Sequence, residues 1–421
     1  MMRGTEQPVW LLEALAALLV LAGIIAGRAL WIIIGFFVAA AILLSQKWAR
    51  RTYAALIIDS VPQQITLEIG QEWLYSVSIS NPLAIAAGWI RVRQEIPQGL
   101  VQDNGSHHVG AEFVLGEYQK ARVVWPLKGV ARGRWILGDT TLVQSDLWGW
   151  RETVQRHFLP TVVTVWPRRF DIDLPLWQAV RELGETKGWL WDEPDPSYYR
   201  GIRPYRYGEP LRDVHPFASA RAGTLMVKDV ERVRALSVDI ICHPYTADVP
   251  WHGIDMQAVE TCLSLAASAV QIAFDQGLAC GLTISCALPG LGHGVSLEPT
   301  TAMAARAEYF TNLAWAVATP AVSTNVQGLL ENLLRQERPA GLLLVVSPKW
   351  DEAVDLLLQR LSSQGHVIGW LSAGSSVQIP TVVDVHWAWT EGGVVHETRT
   401  SSGRALSMAT AIENPAGIFR F

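Results

Sequence analysis

The chain has 421 residues, 50% of them hydrophobic and 17% charged, with a net charge of -5. That balance excludes a disordered tail, and it offers no global electrostatic attraction to nucleic acid. The length leaves room for two or three domains.

Two apolar runs, 10–27 and 29–46, open the sequence with only Arg28 between them. Each is roughly 18 residues long, about the minimum that crosses a hydrocarbon core near 30 Å thick. Residues 1–52 are therefore expected to form a transmembrane helical hairpin in the lipid bilayer. Glu13 lies near the start of the first run, where its carboxylate reaches the interface. No basic leader or small-residue cleavage site marks this run as a removable signal. Lys47, Arg50 and Arg51 follow the second run, with Trp48 as an aromatic anchor, against Arg28 at the hairpin tip. The excess of positive charge places the N-terminus and the long body on the cytoplasmic side of a two-helix membrane protein.

From 53 to 166 the pattern has period two. Ile65-Thr66-Leu67-Glu68-Ile69, Leu74 to Ile79 and Trp89-Ile90-Arg91-Val92-Arg93 alternate between Gly, Pro and Asn breaks, which predicts an antiparallel β-sandwich. Its tryptophans read as core and interface filler. Residues 167–232 form a connector, with a short helix near 176–183 and an exposed loop over 189–196, where two prolines stand among acids. Beyond 233 the rhythm becomes strand–helix–strand. Strands are expected at 236–242, 278–286, 341–347, 366–371 and 381–387, with helices at 254–276, 302–318, 326–335 and 351–363. That alternation predicts a parallel sheet covered on both faces over 233–421. The four cysteines, Cys242, Cys262, Cys280 and Cys286, form no CxxC pair and read as buried reduced thiols, in keeping with a cytoplasmic body.

The segment from Gly201 to Glu231 mixes arginines, acids and aromatics without helical or strand period. It reads as an irregular stretch held by charged hydrogen bonds and arginine–aromatic stacking. Arg203, Tyr205, Gly208, Arg212, His215, Ala220, Arg221, Gly223, Leu225, Val227, Lys228 and Glu231 follow a long pattern, R-x-Y-x-x-G-D-x-x-R-x-I-H/D-W-x-x-[ST]-A-R-x-G-x-L-x-V-[RK]-x-x-E. In this the chain resembles the domain-of-unknown-function family numbered fifty-eight. Glu209 stands where that family has Asp, and Pro216 where it has Trp. The run from Ser145 to Trp150 is similar to the turn that closes the family's sandwich.

The resemblance implies that residues 233–421 form a von Willebrand factor type A-like domain, Rossmann-like in architecture. Such domains often hold a divalent ion through D-x-S-x-S after the first strand, because hard cations need carboxylate and hydroxyl oxygens. Here Cys242-His243-Pro244-Tyr245-Thr246 takes that place, Asp239 falls inside the strand and Asp255 begins the next helix. No metal and no cofactor is therefore expected. Nucleotide-binding, nucleophile-elbow and zinc-protease motifs are absent. The resemblance further implies a membrane-anchored, non-enzymatic adaptor that partners a MoxR-type AAA+ ATPase or another envelope protein. Its binding residues would be Arg203, Tyr205, Arg206, Gly208, Glu209, Arg212, His215, Arg221, Lys228 and Glu231, with His243, Tyr245 and His252 on the rim of the degenerate ion loop. Two competing readings are a divalent-metal-dependent binding domain, and an enzyme using His215 with Asp213 or Glu209.

Overall fold

In the computed structural model the apolar runs form two antiparallel helices, α1 (Val9–Ile25) and α2 (Ala29–Ala55). The structure describes residues 9–406, apart from 60–63, 103, 147, 150–151, 177, 180–192, 207–213, 234–236, 247–253, 320–321, 337, 339, 374–378, 391–394 and 402–403. Gly27, at φ 63, makes the turn between the helices. Glycines also allow the pair to close: a Cβ on Gly35 would lie 2.9 Å from the Ala16 carbonyl oxygen, and one on Gly23 2.8 Å from the Ile32 nitrogen. Small residues are what apposed membrane helices use to approach. α2 is long and apolar enough to span a membrane, and little of it is buried.

α2 does not stop at the end of the apolar run, nor at 52. It continues through Lys47, Arg50 and Arg51 to Ala55 because its last turns are packed. Ser45 Oγ donates to Asp146 Oδ2 at 3.2 Å, and Gln144 Nε2 donates to Thr52 Oγ1 at 2.8 Å. The Trp48 ring lies over Gly88, where a Cβ would meet it at 3.1 Å and the Ser145 carbonyl oxygen at 2.5 Å.

The expected alternation builds a β-sandwich. One sheet has the order β1 (Ile57–Asp59), β3 (Glu72–Ser80), β7 (Lys120–Gly129), β5 (Leu100–Val101). The other runs β2 (Gln64–Glu68), β9 (Glu152–Trp166), β8 (Gly133–Ser145), β4 (Trp89–Glu95), β6 (His108–Val114). All ladders are antiparallel except β2 with β9. Inward positions two apart fill the core: Tyr75, Val77 and Ile79 from β3 meet Ile90 and Val92 from β4, and Val163 and Val165 from β9. Helices and sandwich make one unit, residues 1–167, and residues 168–421 make the second.

In the second unit the connector is more regular than its composition suggests. Strand β10 (Glu193–Pro204) pairs antiparallel with β11 (Met226–Val233), and a short helix, α3 (Pro216–Ala222), lies in the connection. This corrects the exposed loop expected over 189–196 at residues 193–196, and the irregular signature segment at residues 201–204 and 214–231; residues 189–192 and 207–213 lie outside the described residues. A two-stranded ribbon has no sheet face to bury, so its sequence carries no alternation of apolar residues. Pro194 and Pro196 are tolerated in β10, whose one partner in the ribbon is β11.

The rest is a single eight-stranded sheet. Its order is β14 (Val295–Thr300), β13 (Ala279–Ile284), β12 (Ser237–Cys242), β15 (Leu342–Val346), β16 (Val367–Ala373), β17 (Val385–Trp389), β18 (Val395–Ser401), β19 (Arg404–Leu406). The five strands from β13 to β17 are mutually parallel, and β14, β18 and β19 extend the two edges antiparallel. Helix α4 (Met256–Asp275) joins β12 to β13, α5 (Met303–Trp315) and α6 (Val322–Arg335) join β14 to β15, and α7 (Asp355–Ser363) leads to β16. α4 passes the same length test as α2, but it is mostly buried and is a core helix. Ile241, Leu343 and Val345 meet α6 and α7, whereas Cys242, one residue out of phase, lies 4.0 Å from Cys262 of α4. Helices therefore cover both faces, which is why the strands read as continuous apolar runs. All four cysteines are buried thiols outside any disulfide.

Candidate functional site

Successive connections leave β12 in opposite directions: β13 lies on one side of it and β15 on the other. In open parallel sheets, ligands bind outside the carboxyl ends of the strands at such a reversal. Three polar side chains converge there. His243 follows the last residue of β12, Ser285 the last of β13, and Asp351 stands in the loop after β15. His243 Nδ1 is 3.1 Å from Ser285 Oγ, and Nε2 is 3.1 Å from Asp351 Oδ2.

The backbone explains this convergence. The ladder continues one residue past each strand: His243 N donates to Val346 O, Ser285 N to Cys242 O, and Ser347 N to Leu371 O. His243 therefore enters the crevice instead of turning to solvent. Asp351 is held from its other oxygen, because Oδ1 accepts from Ala353 N at 3.0 Å and caps a 3-10 turn, Glu352–Val354. The His243 ring thus bridges the Asp351 carboxylate and the Ser285 hydroxyl, which also donates to Cys242 O at 3.3 Å. Asn325 Nδ2 donates to Ser285 O at 2.9 Å. Tyr245 stacks on the His243 ring, 5.7 Å between centroids and 10° between planes, and Lys349 Nζ sits 5.9 Å from the centre of the Tyr245 ring.

Serine, histidine and aspartate in this sequence of contacts are the groups of acyl-transfer catalysis. Their access to solvent is small. Ser285 is 0% exposed, His243 1% and Asp351 4%. A nucleophile needs a reacting atom beside it, and these three side chains are buried. The arrangement works as a polar lock that ties the ends of three strands together, each buried group satisfied by another.

Two further polar sets lie under the sheet. Arg338 Nη1 donates to Asp239 Oδ1 at 3.0 Å, and burial pushes the Asp239 carboxyl up to about 6 against the opposing effect of Arg338. Asp239 belongs to this pair and not to the strand-end crevice. Ser372 Oγ and His386 Nε2 are 2.8 Å apart beneath Trp370, and burial holds His386 down to about 4. Among the described residues, no group of three or more His, Cys, Asp or Glu side chains could hold a metal ion.

The described signature residues fall elsewhere, on or between β10 and β11. Tyr205 N donates to Leu225 O and His215 N to Met226 O, closing the end of this hairpin. His215 caps α3, its Nδ1 accepting from Ala218 N at 3.2 Å. Ser219 Oγ accepts from Met226 N at 2.8 Å and donates to His215 O at 2.9 Å. His215 is thus engaged as a cap and a hinge for the hairpin. Arg203 and Lys228 pair with Val227 and Ile202 across the ribbon, and Glu231 also lies on β11. Arg206 and Arg221 are exposed, and Arg221 is in the last turn of α3. Gly208, Glu209, Arg212 and Asp213, like His252, lie outside the described residues. His243 and Tyr245 are corrected: they are buried in the crevice and form no exposed rim. Ser285 and Asp351 were not anticipated at all.

No family model and no curated protein matches the sequence. Among solved structures, the CARDB domain of a Pyrococcus furiosus protein in complex with two metal ions is 13% identical, covering 26% of this chain and 90% of its own, with a TM-score of 0.19. An ASH / PapD-like domain of a human protein is 12% identical, covering 26% of this chain and 84% of its own, at 0.18. A Salmonella alpha-2-macroglobulin mutant is 10% identical, covering 27% of this chain and 7% of its own, at 0.20. Scores this low carry no argument about site or partner, and the sandwich rests on its own ladders.

Proposed function

We propose that this chain is a membrane-anchored, non-enzymatic interaction protein with its body in the cytoplasm, serving as an adaptor for a MoxR-type AAA+ ATPase. The observation that carries the reading is a contrast in exposure. The Ser285–His243–Asp351 cluster is buried, whereas the signature hairpin holds Phe217 84% exposed, with Leu225 50% and Ile202 41% exposed on the same hairpin. Ile202, His215, Phe217, Ala218, Arg221 and Met226 line a hollow of about 640 Å³ there. A large exposed aromatic beside an arginine is the composition of an interface anchor.

The type A-like reading of the eight-stranded sheet is supported by its parallel centre and by the reversal beside β12. His243 takes the place after the first parallel strand where such domains carry D-x-S-x-S. Its bonds to Ser285 and Asp351 fill with protein the space a cation would need, which favours a metal-independent module over the divalent-metal alternative.

The test is affinity capture of the full chain from crosslinked native membranes, with ATP and without it, for the natural sequence and for Phe217→Ala. A co-purifying AAA+ ATPase whose yield depends on nucleotide and drops with Phe217→Ala supports the adaptor reading. Recovery of the ATPase unchanged by the substitution removes the hairpin from the interface. Absence of any such ATPase removes the partner.

A further inference from the structure

We propose that the α2-proximal end of the sandwich is seated in the headgroup layer of the membrane, with Trp148, Tyr118 and Trp89 as its interfacial anchors. The inference rests on the membrane-anchored reading and concerns only the first unit.

The helix and the sandwich fix each other's height. Along α2, Ser45 bonds to Asp146, Trp48 covers Gly88, and Thr52 bonds to Gln144. The contacts thus move into the sandwich as the helix leaves the apolar run. The 146–149 turn stands level with Ser45 or nearer the span. From Ala29 to Ser45 the helix rises about 25 Å, so Ser45 falls close to the edge of a hydrocarbon layer about 30 Å thick. Leu43 and Leu44, just before it, are 59% and 66% exposed. The end of the sandwich bearing the turn is therefore held where headgroups begin.

Its composition suits that place. Four aromatic side chains are exposed among the described residues of the sandwich: Trp89 at 51%, Tyr118 at 72%, Trp148 at 59% and Phe158 at 63%. The first three share one end. Trp89 opens β4 beside Ile90, which pairs with Gln144 at the end of β8. Tyr118 sits in the turn between β6 and β7, and Trp148 in the turn after β8. Phe158 lies mid-strand opposite Asp139. The far end, with turns at Gly70 and 130–132, shows no exposed aromatic among the described residues. Trp and Tyr collect at membrane interfaces because an apolar ring with a polar tip is at home among headgroups. Continuity with the span selects the bilayer over a protein as the occupant.

The test is site-directed spin labelling of the full chain in nanodiscs of phosphatidylcholine with phosphatidylglycerol. Single cysteines replace Trp148, Trp89, Leu43 and Val130, one per sample; the native cysteines are all buried. Accessibility to oxygen and to a water-soluble nickel chelate is read at each position. Labels at 148 and 89 are expected to show several-fold lower nickel accessibility than the label at 130, with higher oxygen accessibility, and the label at 43 to show hydrocarbon values. Water-like values at both 148 and 89, with 43 in hydrocarbon, would overturn the seat and leave the anchor intact. Water-like values at 43 would overturn the membrane reading itself, and the seat with it.

Discussion

The Asp239–Arg338 pair offers the sharpest test of how the second unit is held together. Both side chains lie under the sheet, 3% and 10% exposed, and the room for Asp239 exists because Gly281 opposite it has no Cβ; one would fall 2.0 Å from Oδ1. Burial lifts the carboxyl from its ordinary 3.8 to about 6, and Arg338 holds it below what burial alone would give. A carboxyl raised in the folded state favours folding at low pH. Its contribution is fully present below about 4 and is lost as pH rises through about 6. The gap amounts to about 3 kcal/mol. Replacing Arg338 by Met strands a buried carboxylate, which costs about 3–5 kcal/mol at pH 8. It also removes the charge that held Asp239 down, so the carboxyl protonates at still higher pH. The deficit must then shrink at pH 5, where a neutral carboxyl needs no cation. Asp239→Asn combined with Arg338→Met should recover most of the loss, because neither partner is left charged. Hydrogen exchange of β12 and β13 peptides in the full chain, read as opening free energies at the two pH values, measures all three quantities. A deficit that is equal at pH 5 and pH 8, or a double variant no better than Arg338→Met, would refute this account of the pair.

Other outcomes follow from the same geometry. His243→Ala should lower the opening free energy at the ends of β12, β13 and β15 by about 2–3 kcal/mol, because Ser285 and Asp351 lose a buried partner. A fluorophosphonate probe should leave Ser285 unlabelled in the native protein; labelling found by mass spectrometry would show that the crevice opens and revive an enzymatic reading. His386, held down to about 4 by burial, contributes stability that is present above 6.5 and lost as pH falls toward 4. His386→Asn should flatten the pH dependence of opening for β16 and β17 in that window. Phe217→Ala, on an exposed side chain, should change stability by no more than about 0.5 kcal/mol; a larger loss by thermal unfolding would mean the ring is packed and not presented.

The sequence and the structure agree where a pattern is imposed by a continuous environment. The two opening helices were legible because each is an unbroken apolar run, and the sandwich because a sheet with one wet face must alternate. Where α2 ends was hidden: Lys47, Arg50 and Arg51 look like an exit from the helix, while the polar contacts of Ser45 and Thr52 that prolong it lead to residues 101 and 92 positions away. The edges were missed for a related reason. Strand β14 is only partly buried and β19 is three residues long, and neither they nor β18 show the solid apolar runs of the sheet centre, so only pairing reveals them.

The polar lock shows why site residues are harder still. His243 was noticed as a loop histidine; Ser285 lies 42 positions away and Asp351 108, and no motif spacing links them. One local signal was present, however. Each central strand passes from an apolar run straight into a polar residue: Cys242 to His243, Ile284 to Ser285, Val346 to Ser347. Parallel strands in register place those first polar residues in a single row across the carboxyl edge of the sheet, whatever their separation in sequence. Given the strand order, with β12 between β13 and β15, His243 and Ser285 must be neighbours, and the loop after β15 must supply the third side. The missing information was therefore the order of three strands. That order cannot be recovered from apolar runs alone, because parallel strands buried on both faces look alike, and it is fixed by how α4 and α6 pack on opposite faces of the sheet.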